Sequence, residues 1–242
     1  RETAMIDIAD IHAARERIAP YVRRTPVLEA ALARDPLPVG AEVTFKLELN
    51  QVTGSFKARG AMNRLLGAER AEVSAGIVTA SGGNHGLAVA RTAKVAGVPA
   101  VVFVPETVSP AKVDKMRRWG ADVRIVGAEW SVSNAAALDY AKASGAAYFH
   151  PFADSLVVAG QGTLGLEILD QIDGFDTIVV AIGGGGLVAD VSTAIKAYRP
   201  DVRIVAVEPI GSPTMKASLD AGQVVTLPEV TSRVATMSCR RT

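Results

Sequence analysis

A lysine within the run TGSFKAR, residues 53–59, has the setting in this chain that best suggests covalent chemistry. Lys57 lies between a β-favouring stretch, residues 43–49 (VTFKLEL), and an apolar-periodic helix over residues 58–66, which places its ammonium at a strand-to-helix junction among small residues. A lysine amine attacks or binds a carbonyl only when its proton is made easier to lose, by desolvation or by a neighbouring positive charge. A compact element start can provide both. Taken alone, Lys57 reads as a solvated surface charge, the usual fate of its type. The motifs that accompany it change that reading.

Two glycine-rich strings supply groups that such a lysine could work with. Residues 79–86, TASGGNHG, follow a short apolar strand and open a helix to about residue 95. Small residues there let backbone N–H groups at the helix start approach an anion such as a carboxylate, and Asn84 and His85 add side-chain donors. By itself the string is an ordinary turn in which Ser81 or Asn84 caps the helix. Residues 177–187, TIVVAIGGGGL, run from a continuous apolar strand into four glycines and then a helix through residue 197. Glycines admit close backbone approach, and the helix start offers unpaired N–H groups and the positive end of a dipole, the makings of a phosphate cradle. A dinucleotide fingerprint competes with it: Gly184, Gly186 and Ala189 satisfy GxGxxA, and Glu208 ends the next strand where a ribose-binding acid is expected. Spacing alone leaves both readings open.

In order, the chain carries TGSFKAR, SGGNHG, AGQGTLGLEIL (residues 159–169), GGGGL and VEP (residues 207–209). This set closely resembles the fold-type II pyridoxal-phosphate enzymes, specifically the serine/threonine dehydratase (threonine ammonia-lyase) and serine racemase family, from about Thr25 and Pro26 to about Pro209. The resemblance implies that Lys57 carries pyridoxal 5'-phosphate as a Schiff base, that Phe56 flanks the ring and that Asn84 hydrogen-bonds the ring hydroxyl. It implies that Gly183, Gly184, Gly185, Gly186 and Leu187 hold the phosphate, and that Ser81, Asn84 and His85 form the loop for the substrate carboxylate. The implied reaction is dehydration of a β-hydroxy L-amino acid, threonine or serine, to a 2-oxo acid and ammonia, with Lys57 as the α-proton base. Racemisation of the same substrates is one alternative. Non-catalytic binding of a dinucleotide or an amino acid is another.

Three positions bear on that choice. In racemase-like members the acid at Glu208 is a divalent-cation ligand completed by a carboxylate a few residues later; the aligned residue here is Thr214, so a hard cation loses a charged oxygen. Glu208 is therefore a weak metal candidate, and no metal is expected. The corresponding loop of those racemases reads SSGNHG, and its second serine exchanges a proton on the face away from the lysine. Gly82 stands there and has no proton to give, which favours elimination. The family also pairs the pyridine nitrogen with a serine, threonine or cysteine in a glycine-rich C-terminal segment. Cys239, in MSCRRT, lacks that context, so this partner and any regulatory domain are expected beyond Thr242.

The elements that must position these residues alternate. Strands fall near residues 43–49, 77–79, 100–104, 122–126, 177–182 and 203–207, and helices near 6–19, 56–66, 84–95, 110–119, 132–144, 160–172, 188–198 and 213–221. Such alternation argues for an α/β protein with parallel sheets and crossover helices. With the resemblance it implies two open, twisted, mainly parallel sheets with helices on both faces. Residues 1–52 and 147–242 would form a large cofactor-binding domain and residues 53–146 a small one, with the cofactor in the interdomain cleft at the carboxyl ends of the strands.

Composition fits this class without pointing to it. The 242 residues are 49% hydrophobic but only 5% aromatic, so the core is built from Ala, Val and Gly rather than rings. Well-mixed charges, 26 basic against 25 acidic, favour neither nucleic acid nor an anionic membrane, and Arg117 with Arg118 reads as a solvated helix end. The single cysteine excludes an internal disulfide and fits a reducing cytoplasm. No apolar run is long enough to span a bilayer and no signal-peptide pattern is visible, although the sequence opens on Arg1 without a methionine. The expected partners are an amino-acid substrate and, by the family resemblance, a second copy of the chain in a dimer.

Overall fold

The computed structural model describes residues 6–30, 40–234 and 236–241. Its first half contains α1 (Ile8–Ile18), β1 (Val27–Glu29), β2 (Thr44–Lys46), α2 (Lys57–Leu66), β3 (Ile77–Ala80), α3 (Asn84–Ala96), β4 (Ala100–Val104) and α4 (Pro110–Arg118). There follow β5 (Asp122–Ile125), α5 (Trp130–Ser144), β6 (Ala147–Tyr148), α6 (Ser155–Gln171), β7 (Thr177–Ala181), α7 (Gly186–Tyr198), β8 (Arg203–Val207) and α8 (Thr214–Ala221).

Short apolar runs make a parallel sheet because both of its faces are covered. Every residue of β3 and β4 is buried, and the pairing Ile77↔Ala100 through Ala80↔Phe103 is parallel. Their side chains alternate between faces. Ile77, Val102 and Val104 enter a cluster with Met62 of α2, Ala88 and Val89 of α3 and Met116 of α4, whereas Val78, Ala80, Val101 and Phe103 pack with Ala137 of α5. The strand order β5-β4-β3-β6 reverses direction between β3 and β6, because the chain winds outward to β5 and then returns to the far side of β3. A doubly wound sheet opens a crevice at such a reversal, beyond the carboxyl ends of its strands. β7 and β8 form a second parallel pair, whose residue Val180 is buried with α6 and α7 while Val179 is 66% exposed. β1 and β2 pair antiparallel, Val27↔Lys46 through Glu29↔Thr44. No helix among the described residues is long and apolar enough to cross a membrane.

The start of α2 is fixed from two sides. A Cβ on Gly60 would lie 2.4 Å from the Val157 carbonyl oxygen, and one on Gly160 would lie 2.7 Å from Gly60 Cα, so α2 and α6 meet backbone to backbone. Beside that crossing the fully buried Arg59 donates to Glu48 at 2.7 Å and to Glu167 at 2.6 Å, and Lys46 Nζ donates to the same Glu167 at 2.6 Å.

Several boundaries differ from those read in the sequence. α6 begins at Ser155 rather than near 160, because the Asp154 carboxylate accepts from the N–H groups of Leu156 and Val157 and caps the helix earlier. The strand expected over 43–49 ends at Lys46; Glu48 starts a short 3₁₀ turn and turns its carboxylate to Arg59. β6 pairs with β3, so residues 147–148 lie in the four-stranded sheet, although the sequence division put residue 147 at the start of the large domain.

Candidate active site

Lys57 is the first residue of α2 and its side chain returns to the crevice, where Nζ donates a 2.6 Å hydrogen bond to the Pro151 carbonyl in the loop after β6. Nζ also lies 5.0 Å from the centroid of the Phe56 ring, and Phe56 packs against the cluster under β7 and β8. Burial pushes the Lys57 ammonium down to about 8, against the opposing pull of the Asp190 carboxylate. A lysine in that range exposes a useful fraction of free amine near neutral pH.

The turn 81–83 leaves β3 at the point where the sheet reverses. Gly83 is the N-cap of α3 without any side-chain capping bond, so neither Ser81 nor Asn84 caps the helix; the Ser81 hydroxyl accepts from the Gly83 N–H at 3.3 Å. Asn84 is exposed in the first turn. His85, expected to add a side-chain donor to this loop, instead turns inward. It is 2% exposed, its Nε2 lies 3.1 Å from the Phe149 carbonyl, and burial pushes its pKa down to about 3. A neutral imidazole that donates from Nε2 has spent its donor on Phe149 and presents only a lone pair at Nδ1.

The glycine run behaves as a cradle. Gly185, with φ +81°, is the N-cap of α7, and the first bond of that helix runs from Ala189 N to Gly185 O at 3.1 Å. The N–H groups of Gly186, Leu187 and Val188 therefore precede the helical ladder and point out of its start. A Cβ on Gly184 would sit 2.7 Å from the Phe152 ring, so only glycine lets that ring close over the run. Leu187 directs its side chain into the core beneath β7 and β8, which leaves its backbone to the cradle.

Glu208 is engaged elsewhere. Its two oxygens accept from Met215 N at 2.7 Å and Lys216 N at 3.0 Å, in the first turn of α8. The dinucleotide reading needs this carboxylate for a ribose and the metal reading needs it for a cation, yet it is occupied as a helix anchor. Among the described residues no three His, Cys, Asp or Glu side chains gather as a metal site.

Buried polar atoms without partners are rare and mark places built for something else. Here they include Thr53 Oγ1, Ser55 Oγ, His85 Nδ1 and both oxygens of Asp190. Thr53 and Ser55 sit in the loop that delivers Lys57, while His85 and Asp190 each interact electrostatically with it. A near-neutral amine, open hydroxyls and a glycine cradle at a helix start fit a phosphorylated aldehyde such as pyridoxal phosphate. The sequence reading missed Pro151, Phe152 and Asp190. A carbonyl acceptor leaves no trace in residue type, but Asp190 is a lone charge within the apolar string LVADVSTAI and was legible as an anomaly.

This doubly wound fold, with a half-buried lysine held by the Pro151 carbonyl and a glycine cradle at the start of α7, defines a class that comparison with known proteins identifies. The chain belongs to the pyridoxal-phosphate dependent enzyme family, whose model matches residues 18–242. It is 41% identical over 224 residues to an L-threonine ammonia-lyase of Geobacter sulfurreducens, covering 93% of this chain and 55% of that protein. To a serine racemase of Oryza sativa subsp. indica it is 42% identical over 225 residues, covering 91% and 65%. The structure of maize serine racemase superposes with a TM-score of 0.91 at 37% identity, covering 97% of this chain and 71% of that one. The chain thus spans little more than half to about two thirds of the length of the first two relatives. The family and fold read from the motifs are borne out.

Proposed function

We propose that this protein is a pyridoxal-phosphate-dependent ammonia-lyase that dehydrates a β-hydroxy L-amino acid, threonine or serine, to a 2-oxo acid and ammonia. The observation that carries the reading is Lys57, whose Nζ is held by the Pro151 carbonyl and whose pKa burial pushes down to about 8. When bound, pyridoxal phosphate supplies an electron sink for the charge that develops at the substrate Cα. Lys57 would attach the cofactor, and its Nζ, as a free amine, would be the base for the α proton. The backbone of residues 183–187 would bind the phosphate, Phe56 would flank the ring, and Asn84, exposed in the first turn of α3, would be the partner for the ring hydroxyl. Ser81 and the N–H groups at the start of α3 orient the substrate carboxylate; His85 contributes there through its backbone, its ring supporting the loop from beneath. The protein's two-domain division is part of the proposal, with the first crossing near residue 52 and the second after Tyr148, and so are a homodimer and a reducing, cytoplasmic location.

Serine racemisation is the second reading, favoured by the name of the rice relative and opposed by Gly82, which offers no proton on the second face. The test is to purify the protein with pyridoxal phosphate, reduce it with borohydride and locate the modified peptide by mass spectrometry. L-threonine and L-serine are then assayed for 2-oxo acid, ammonia and D-enantiomer. A reduced adduct on Lys57 with release of 2-oxo acid is expected. A protein that takes up no cofactor, or whose adduct lies on another lysine, overturns the proposal.

A further inference from the structure

The chain between β6 and α6 is tied at both ends, and the span between the ties is shaped by one imidazole. Upstream, the Phe149 carbonyl accepts from Thr79 Oγ1 at 2.7 Å and lies 3.1 Å from His85 Nε2. Downstream, Asp154 caps α6 by accepting from the N–H groups of Leu156 and Val157, two and three residues ahead of it. His150 repeats that pattern with a nitrogen: Nδ1 accepts from Phe152 N at 3.2 Å and from Ala153 N at 2.8 Å, again two and three residues ahead. Backbone N–H groups only donate, so Nδ1 carries a bare lone pair and the ring proton sits on Nε2. Burial, against the pull of the Asp154 carboxylate and with the help of Lys57, holds His150 below its ordinary range and so favours this neutral ring. The resulting turn faces the site in two directions. Pro151 presents its carbonyl to Lys57 Nζ at 2.6 Å, and Phe152 lays its ring on the glycine run, where a Cβ on Gly184 would meet it at 2.7 Å. The His150 and Phe152 rings also pack edge to face, 4.6 Å between centroids.

We propose that His150 is a positioning residue: by accepting two backbone N–H groups at Nδ1 it folds residues 151–153 into the turn that holds the Lys57 amine on one side and covers the glycine run on the other. Without that acceptor the N–H groups of Phe152 and Ala153 lose their partner, and nothing else among their hydrogen bonds keeps the Pro151 carbonyl and the Phe152 ring in register. The ring itself is not needed for these bonds. An asparagine oxygen accepts from the same two positions in an Asx turn, as the Asp154 carboxylate does four residues later, but it has no ring to pack on Phe152. Acceptor and ring can therefore be separated by substitution. The inference rests on Lys57 being the reactive amine and the glycine run the phosphate site, and it is independent of the reaction that follows.

The experiment compares the full chain as wild type, His150→Asn (acceptor without ring), His150→Phe (ring without acceptor) and His150→Ala (neither). Two quantities are measured. The first is the rate at which acetic anhydride labels Lys57 in the cofactor-free protein, read by mass spectrometry at about pH 10, above the lysine's value of about 8, so that the rate reports access to the amine. The second is the affinity for pyridoxal phosphate by fluorescence titration. His150→Asn is expected to match the wild type in both, whereas the phenylalanine and alanine variants label Lys57 severalfold faster and bind pyridoxal phosphate about tenfold less tightly, as the loss of one or two hydrogen bonds predicts. An asparagine variant that behaves like alanine, or a phenylalanine variant that behaves like wild type, shows that ring packing shapes the turn and overturns the inference. Equal labelling in all four proteins overturns it as well. Should the alanine variant fail to fold, the asparagine and phenylalanine pair still decides. A wild type that takes up no pyridoxal phosphate sinks the assigned function, while labelling of the cofactor-free proteins continues to test His150.

Discussion

The Pro151 carbonyl accepts a 2.6 Å hydrogen bond from Lys57 Nζ, so the loop that leaves the four-stranded sheet holds the amine that α2 presents. This bond joins segments 94 residues apart in sequence. It orients Nζ through an uncharged acceptor, which adds no carboxylate to raise the lysine's pKa.

Replacement of Lys57 by alanine is expected to remove both cofactor attachment and the α-proton base. Loss of the base alone costs on the order of a hundredfold to ten-thousandfold in turnover, and loss of attachment adds to it. The fold is expected to survive, because the lysine is half-buried and Asp190 can bind a proton once its cationic neighbour is gone. Turnover assays beside a thermal melt check this. Near-normal turnover would refute the role given to Lys57.

Arg59 is expected to be a stability residue rather than a reactive one. Burial opposes its charge, but hydrogen bonds to Glu48 and Glu167 outweigh that cost and raise its pKa. Arg59→Met leaves Glu48 without its cation and Glu167 with Lys46 alone, and breaking a buried pair in this way costs about 3–5 kcal/mol. Urea denaturation measures the loss. Because Lys57 lies two residues away, cofactor affinity is expected to weaken as well.

The parts of this fold that were legible are those decided by local pattern. The runs AVVFV and RIVAV matched β4 and β8 to the residue, since continuous apolar β-formers bounded by turns have few alternatives. β1 and β6, of three and two residues, are strands only because a neighbour pairs with them, and no periodicity can reveal that. The lysine and the glycine cradle were legible because their chemistry needs particular residue types. The inward turn of His85 was not, since the Phe149 carbonyl that captures it lies 64 residues away. The partners of Glu208 were hidden for the same reason, its donors being backbone groups of α8.

His85 sets a pH dependence. Burial, and then Lys57, depress its folded pKa to about 3, so its contribution is fully present above the unfolded value near 6.5 and is lost as pH falls from there towards 3. His85→Gln keeps a donor for the Phe149 carbonyl and removes the titration. Its stability relative to wild type is expected to improve by about 1.4 kcal/mol for each pH unit between 6.5 and 4.5. Taking the difference between the two proteins cancels the titrations they share, including those of His150 and Asp190. Denaturation midpoints at several pH values check this, and a constant difference would show that the imidazole titrates in the folded state.

Gly82 is expected to decide the stereochemical outcome, and Val108 to decide whether the outcome can be changed. A Cβ on Gly82 would lie 3.1 Å from Val108 Cγ2 and 3.5 Å from Pro105 Cδ, and the backbone there does not have the positive φ that would exclude a side chain. The wild-type protein has no side chain at this position to protonate the substrate on the face away from Lys57. A carbanion formed there either regains its proton from Lys57 or expels its β-hydroxyl, so L-serine is expected to give pyruvate with little D-serine. Gly82→Ser supplies a hydroxyl but presses it against Val108, which must yield by a few tenths of an ångström. That variant alone is therefore expected to racemise weakly, and the double variant Gly82→Ser with Val108→Ala more strongly. Chiral chromatography of the products from L-serine measures all three proteins. D-serine from the wild type at a rate comparable to pyruvate would place a second proton donor opposite Lys57 and overturn the one-face argument.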